Sequence, residues 1–209
     1  MSTTLLHLRD EAEWLEKRQG TIGGSDAAAV LGISPWKSNV DLWEELKGLR
    51  KPKDISDNPA VDFGKKAEEH IRELFKLANP VIQVEYEPCN MWLNDRYPWA
   101  HASLDGWLTD IDGRRGILEI KTGTYGYKWY QQIPDHYYAQ VIHYMMVTEA
   151  DFGVVTAFLQ MPGTQGSYRM LTYSVKRDQE QIEYLAKEEK EFFESLERNE
   201  RPALLLPEI

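Results

Sequence analysis

Apolar residues recur along the chain with two different periods, and these periods predict where helices and strands lie. Recurrence every three or four residues is typical of a helix with one buried face, and alternation of apolar and polar residues is typical of a strand. The helical pattern covers residues 9–18, 26–31, 38–48, 59–78 and 177–198. Residues 135–148 are apolar on nearly every side, which predicts a buried helix. The strand pattern covers residues 81–87, 99–108, 116–121, 152–160 and 168–175, with a Pro/Gly loop at 162–166 before the last strand.

The order of these elements indicates a domain of the α/β or α+β class with a central mixed sheet. A chain of 209 residues has the usual length of a single domain. We divide it into an N-terminal helical part at 1–58, a core at 59–175 and a C-terminal helix and tail at 176–209. The sequence does not decide whether the C-terminal helix packs on the sheet or forms a surface for a partner.

Composition and charge exclude several classes of protein. The formal net charge of −10 argues against a protein that coats nucleic acid by bulk charge, although it is compatible with a local DNA groove. Cys89 is the only cysteine, which excludes an internal disulfide, a four-cysteine zinc site and an iron–sulfur cluster. No apolar run reaches the roughly 20 residues of a membrane span, and the N-terminus lacks the apolar core of a secretion signal, so we expect a cytoplasmic protein.

The segment from Asp105 to Lys121 contains the most informative group of polar residues. On the strand predicted here, Glu119 and Lys121 share one face, and the Asp112-Gly113 turn predicts a hairpin that brings Asp105 to the same place. Two carboxylates beside an ammonium group suit a divalent cation and an anionic substrate. The ordinary alternative for Glu119 and Lys121 is an exposed cross-strand pair, and the motif by itself does not exclude it.

Three further features, which involve four residues, bear on the choice between a metal site and an exposed pair. Glu68 lies at the edge of an apolar helix face, where a carboxylate costs desolvation energy unless a cation compensates it. Gln140 lies on the predicted buried helix, where an amide needs partners such as a water, a phosphate or a strand carbonyl. Ser25, the predicted N-cap of a helix, follows Arg18 by seven residues. The two would form an anion pocket, unless Ser25 is only a cap and Arg18 only a surface charge.

The motifs occur in the order of a known family. The matching segments are Trp14 with Arg18, IGGSDAAAVLGISPWKS at 22–38, DLWEELKG at 41–48, GKKAEE at 64–69, LDG at 104–106, LEIK at 118–121 and YYAQVIHYMMVT at 137–148. Together they resemble the YqaJ / lambda-exonuclease group of phage recombination nucleases, within the PD-(D/E)xK superfamily, over about residues 10–160. The proline of the superfamily motif is Leu104 here. The resemblance implies an α/β, restriction-endonuclease-like core in which helices flank a central mixed sheet.

The resemblance also implies which residues bind metal. Asp105, Glu119 and the main-chain carbonyl of Ile120 would bind one magnesium ion, and Glu68 would help to position a second ion or its water. Two magnesium ions are therefore expected, and manganese would be able to substitute for them.

For the reaction and the substrate, the resemblance implies a second set of residues. Lys121, with Gln140, would orient the attacking water. Arg18 and Ser25 would bind the terminal 5′-phosphate of the DNA, and Trp14 would pack beside that pocket.

The activity implied by the resemblance is that of a magnesium-dependent, alkaline-type 5′→3′ exonuclease. Such an enzyme degrades double-stranded DNA to 5′-mononucleotides and leaves 3′ overhangs for recombination by strand annealing. It would form a homotrimeric ring and work with a single-strand annealing protein, encoded by a phage or prophage in a bacterial host cell. The alternatives are a structure- or sequence-specific endonuclease of the same superfamily and a non-catalytic DNA-binding module.

Several tryptophan and histidine residues lie within or next to the motifs in the sequence, and we interpret them as structural. Trp36 and Trp43 favour core or subunit contacts, although Trp36 would also be able to stack on a DNA base. His101, His136 and His143 favour hydrogen-bonded structural roles rather than metal ligation.

Overall fold

The computed structural model describes residues 2–163 and 166–206, so Thr164 and Gln165 of the predicted Pro/Gly loop and residues 207–209 of the predicted tail lie outside the described residues. The helices are α1 Glu11–Lys17, α2 Gly24–Val30, α3 Asn39–Leu46, α4 Pro59–Ala78, α5 Asp135–Thr148 and α6 Gln179–Glu197, with a short 3-10 helix at Tyr127–Trp129. The strands are β1 Thr3–His7, β2 Ile22–Gly23, β3 Gln83–Glu85, β4 Asn90–Asn94, β5 Ala100–Ala102, β6 Gly106–Thr109, β7 Arg115–Thr124, β8 Phe152–Gln160 and β9 Tyr168–Lys176. None of the described helices has the length and apolar content needed to cross a membrane.

The strands form two mixed sheets. The larger sheet has the order β3-β6-β7-β8-β9, and β7 and β8 are its parallel pair. The smaller sheet has the order β1-β4-β5-β2, and β5 and β2 are its parallel pair. The α/β class and the mixed sheet flanked by helices are therefore confirmed, and the structure adds a second, smaller mixed sheet to the predicted one.

The predicted strand at 99–108 divides into β5 and β6, which belong to different sheets. Leu104 lies between them, and the buried side chain of Asn90 holds both of its main-chain groups. The Leu104 N–H donates to Asn90 Oδ1 at 2.8 Å, and the Leu104 carbonyl accepts from Asn90 Nδ2 at 2.9 Å. Because this side chain replaces the strand partners of Leu104, the chain leaves one sheet here and enters the other.

Both faces of β7 are covered by helices. Alternation along the strand places Ile117 in the core beneath α5, and places Leu118 and Ile120 in a second core beneath α4. The buried helix α5 is apolar on nearly all sides because it packs against α2, α6 and strands of both sheets. Residues of β7 that share a face with Ile117 therefore point toward α5, where the candidate site lies.

Candidate active site

All of the site residues predicted from the sequence line one cleft of about 300 Å³. They are Trp14, Arg18, Ser25, Glu68, Asp105, Glu119, Ile120, Lys121 and Gln140, and the cleft is completed by Gly23, Gly24, His101, Ser103 and Tyr144. A larger surface concavity of about 980 Å³ lies elsewhere, beside the start of α6, and contains none of the predicted site residues.

The hairpin of β6 and β7 brings Asp105 to Glu119. Gly106 is paired with Leu118, and Asp105 Oδ2 accepts a hydrogen bond from the Ile120 N–H at 2.7 Å. Glu119 Oε1 contacts Lys121 Nζ at 2.5 Å and accepts from Gln140 Nε2 at 2.8 Å. Within the described ranges, no protein group donates a hydrogen bond to Glu119 Oε2 or Asp105 Oδ1. These oxygens are available to a ligand.

The two carboxyl groups share a buried place, where the charged form of each is disfavoured. Burial and the nearby Asp105 together raise the pKa of Glu119 to about 8, against the opposing effect of Lys121. Burial also raises the pKa of Asp105, against the opposing effects of Lys121 and the Ile120 N–H. Burial lowers the pKa of Lys121, but Glu119 and Asp105 outweigh burial, so that the lysine pKa is raised and the ammonium form is stabilised.

This donor set fits a divalent cation. Mg²⁺ is usually held by one or two carboxylates with several waters and substrate phosphates, rather than by a complete protein cage. In the described part of the chain, no group of three or more carboxylate, imidazole or thiol side chains is placed to hold a metal by itself. Asp105, Glu119 and the carbonyl of Ile120 would supply the protein ligands, and a cation there would offset the burial that raises both carboxylate pKa values and the Asp105 charge that raises the pKa of Glu119.

Glu68 reaches the cleft from α4 through a residue that the sequence analysis missed. Arg72, one helical turn further on and nearly fully buried, donates from Nη2 to Glu68 Oε1 at 2.6 Å and from Nε to the Asp105 carbonyl at 2.6 Å. Its guanidinium lies 3.5 Å from the centroid of the Tyr86 ring. Burial and the Asp105 charge raise the pKa of Glu68 to about 7, and Arg72 opposes them. An arginine four residues after Glu68 on an apolar helix face was the available signal.

The other end of the cleft presents a guanidinium and a hydroxyl. The Arg18 guanidinium lies 4.4 Å from the centroid of the Trp14 ring, and Trp14 Nε1 donates to Ser103 Oγ at 2.9 Å. Ser25 is exposed, but its predicted N-cap role is wrong. Gly23 is the N-cap of α2 and donates its N–H to Asp26 Oδ2 at 3.1 Å, so Ser25 lies inside the first turn.

The partners of Gln140 differ from those expected. Its Nε2 donates to Glu119 Oε1 and to the Tyr144 hydroxyl, each at 2.8 Å, so the alternative of a strand carbonyl is wrong. A Cβ on Gly24 would lie 2.2 Å from the Tyr144 ring, which explains the glycine. Tyr144 therefore connects the turn at Gly24, at the Arg18 end of the cleft, with the carboxylate Glu119.

The histidines and tryptophans next to the cleft fall into two groups. His143 is fully buried and bonded to Glu189 and to the His101 carbonyl, as expected for a structural residue. Trp43 belongs to the core, whereas Trp36 is 67% exposed and contacts the ring of His136. Of the core or subunit contact expected for Trp36, the core position is therefore wrong, and the subunit contact stays a prediction.

The helix-flanked mixed sheet, with its carboxylates and lysine at adjoining strand segments, defines a restriction-endonuclease-like fold. The chain belongs to the family of YqaJ-like viral recombinase domains, whose sequence model matches residues 13–151. A curated relative, the uncharacterized protein YqaJ of Bacillus subtilis strain 168, is 29% identical over 184 residues, which are 87% of this chain. The chain spans about half, 54%, of that relative's length.

Solved structures support the same fold. An alkaline exonuclease from Laribacter hongkongensis (LHK-Exo) matches with a TM-score of 0.70 and 20% identity, covering 90% of this chain and 93% of that one. The same enzyme in complex with dAMP matches with a TM-score of 0.72, 20% identity and the same coverage. A phage-related exonuclease from Haemophilus somnus 129PT matches with a TM-score of 0.58 and 12% identity, covering 86% of this chain and 96% of that one.

Proposed function

We propose that this chain is a magnesium-dependent exonuclease that degrades double-stranded DNA from a 5′ end, releases 5′-mononucleotides and leaves 3′ overhangs. The observation that carries the proposal is the single cleft with two carboxylates and a lysine at one end and a guanidinium at the other. The family assignment and the alkaline-exonuclease fold support it.

The carboxylate end suits phosphodiester hydrolysis. Asp105, Glu119 and the Ile120 carbonyl would hold Mg²⁺, and Glu68 would position a second ion or its water. The bound metal supplies a Lewis acid for the phosphoryl oxygen and lowers the pKa of a coordinated water. Mn²⁺ supplies the same chemistry.

Lys121 supplies the fixed positive charge beside this metal site. Its ammonium group lies between Glu119 and the ring of Tyr137, whose centroid is 4.7 Å from Nζ. This position lets Lys121 orient the attacking water and stabilise the charge that develops on the phosphoryl oxygens. Gln140 contributes by fixing the Glu119 carboxylate, and a further hydrogen bond to Tyr144 holds its amide.

The guanidinium end suits recognition of the 5′ end. The Arg18 guanidinium lies over the Trp14 ring, and the exposed residue Ser25 lines the same cleft. A terminal 5′-phosphate bound by Arg18 and Ser25 places a following phosphodiester near Glu119, which gives the reaction its 5′→3′ direction.

The proposal includes the oligomeric state of the chain and its partners. The chain forms a homotrimeric ring around DNA and acts with a single-strand annealing protein in the cytoplasm of a bacterial host, as a phage or prophage product. Since the chain has a formal net charge of −10, an acidic exterior limits loose DNA association while the cleft binds the substrate.

Digestion of linear and covalently closed circular duplexes tests the proposal, with Mg²⁺ or with EDTA. The wild type should degrade only the linear duplex, only with Mg²⁺, and yield 5′-mononucleotides. Glu119→Gln should lose at least a thousandfold in rate, whereas the control Glu69→Gln, at an exposed position on α4, should retain it. Cutting of the closed circle would indicate an endonuclease, and no metal-dependent cutting of either duplex would indicate a non-catalytic module.

A further inference from the structure

His101 forms part of the cleft wall at the guanidinium end, and the proposed mechanism gives it no role. It lies on β5, is 3% exposed, and packs directly against the turn that carries Ser25. A Cβ on Gly23 would lie 2.9 Å from His101 Nε2, so the glycine permits this approach. Nδ1 lies 2.9 Å from Thr21 Oγ1, whereas Nε2 has no hydrogen-bond partner among the described residues.

The hydrogen bonds of Thr21 identify the protonated ring nitrogen. Thr21 Oγ1 donates to the Arg18 carbonyl at 3.1 Å. A hydroxyl has one hydrogen, so while Thr21 donates to the Arg18 carbonyl its oxygen accepts from His101 and Nδ1 carries the proton. In the neutral imidazole, Nε2 then presents a lone pair to the cleft.

The surroundings of His101 favour the neutral imidazole when the cleft holds no anion. Burial, with smaller contributions from His143 and Arg18, lowers the pKa of His101 to about 3 against the opposing effect of Asp26. The charged and titratable groups around the ring are Arg18, Asp26 with its partner Lys37, and His143 with its partner Glu189.

A terminal phosphate bound next to His101 favours a proton on Nε2. Above its second pKa of about 6 it is a dianion, and its oxygens only accept hydrogen bonds. A bare Nε2 would repel such an anion, so one proton has to lie between the nitrogen and the phosphate. We propose that His101 Nε2 binds the 5′-phosphate together with Arg18 and Ser25, and that each phosphate enters the pocket with one shared proton. This inference rests on the proposed function and adds a pH-dependent specificity residue to it.

Because binding of the 5′-phosphate takes up a proton, the affinity for the 5′-phosphate falls as pH rises. The preference for 5′-phosphate over 5′-hydroxyl ends, measured as a ratio of kcat/KM values, should fall between about pH 6.5 and about pH 8.5 by up to about tenfold per pH unit. The ratio cancels the effect of pH on the chemical step, which is common to both ends.

Two amide variants separate the two ring nitrogens. His101→Asn places an amide near Nδ1, keeps the contact with Thr21 and removes Nε2, so the preference at about pH 6.5 should fall at least about tenfold. His101→Gln places an N–H donor near Nε2 at every pH, so the preference should persist and become independent of pH. His7→Gln, at an exposed histidine of β1 paired with Glu87, is the matched control and should behave as the wild type.

A wild-type preference that stays constant with pH, or a His101→Asn variant that keeps it, would overturn the inference. In either case the proposed exonuclease function would still hold if the wild type digested duplexes with both kinds of end in the presence of Mg²⁺. A wild type that digests neither duplex would refute the exonuclease function itself. If the variants fail to fold, NMR of the wild-type ring nitrogens in EDTA answers the question. A 5′-phosphorylated duplex should protonate Nε2 of His101, a 5′-hydroxyl duplex should not, and no shift with either would refute the role.

Discussion

Arg72 illustrates how one buried side chain organises the carboxylate end of the cleft. It joins Glu68 on α4 to the main chain at Asp105 and stacks on Tyr86. Arg72→Lys would lose the planar fork that makes these contacts together. We expect nuclease activity to fall at least tenfold and the free energy of unfolding to fall by about 2–4 kcal/mol.

The control for this prediction is Arg114→Lys, since Arg114 is an exposed arginine paired with Asp110. The nuclease activity and the free energy of unfolding of Arg114→Lys should both stay near the wild-type values. Denaturant unfolding and a linear-DNA digest measure the two quantities. An Arg72→Lys enzyme with wild-type activity would contradict the positioning role of Arg72.

Gly24 is a second test at the scale of single atoms. Gly24→Ala would place a methyl group 2.2 Å from the Tyr144 ring, so the ring and the Gln140 amide bonded to it should shift. Activity should fall about tenfold or more because Glu119 loses its fixed orientation. Gly126→Ala is the matched control, since nothing lies within 4 Å of its Cβ position. Equal activities of the two variants would show that the tight contact at Gly24 does not influence the site.

Local sequence patterns correctly predicted the positions of those site side chains that depend only on spacing along one helix or strand. Glu119 and Lys121 share a strand face, and Gln140 lies on the buried helix, as expected. The spacing from Glu68 was a signal for Arg72, but the contacts of Arg72 with Asp105 and Tyr86, and that of His101 with Gly23, join segments that are distant in the chain and adjacent in space. No periodicity along the chain records such a contact.

At the scale of elements, α5 and α6 are joined by a buried ion pair. His143 Nδ1 lies 2.7 Å from Glu189 Oε1, and both side chains are fully buried. Apolar residues of α6 such as Ile182 and Leu185 pack in the same core, so the C-terminal helix lies on the fold and exposes its charged face. The helix packs mainly on α5 and α2, and a partner surface on its exposed face stays a prediction.

Removing one partner of this pair should be costly. Glu189→Ala should lower the free energy of unfolding by roughly 3 kcal/mol, because it leaves a buried imidazole without its counter-charge. Burial lowers the pKa of His143, but Glu189 outweighs burial and the pKa is raised above 6.5. The folded state therefore holds a proton that the unfolded state releases, and stability should decline as pH rises above about 6.5.

Denaturant unfolding across this pH range measures both effects. Glu189→Gln should flatten the decline, whereas Glu191→Gln, at an exposed position of the same helix, should reproduce the wild-type curve. A wild-type stability that is constant above about pH 6.5 would contradict the assignment of a charged pair.

The elements that sequence patterns predicted best are the long ones. Helices α4, α5 and α6 and strands β8 and β9 lie within a residue or two of the predicted bounds. The pattern did not predict β1 and β4, which are short and pair with each other between Thr3 and Asn94, far apart in the chain. It also treated β5 and β6 as one strand, since the break at Leu104 depends on the Asn90 side chain.

At the scale of the whole molecule, the proposed ring predicts a definite mass. Sedimentation equilibrium should give three times the 24.3 kDa of one chain. Burial between copies would also cover large apolar side chains that are exposed on a single chain, among them Leu77 and Val81. A monomer at every concentration would contradict the ring, while leaving the cleft chemistry untouched.

The central claim is that Asp105, Glu119 and the Ile120 carbonyl bind the cation on which DNA cleavage depends. Anomalous diffraction from crystals soaked in manganese tests it most directly. The account predicts an anomalous peak between these two carboxylates, absent from crystals of Glu119→Gln. A peak elsewhere, or none, with Asp105 and Glu119 turned away from each other, would contradict it.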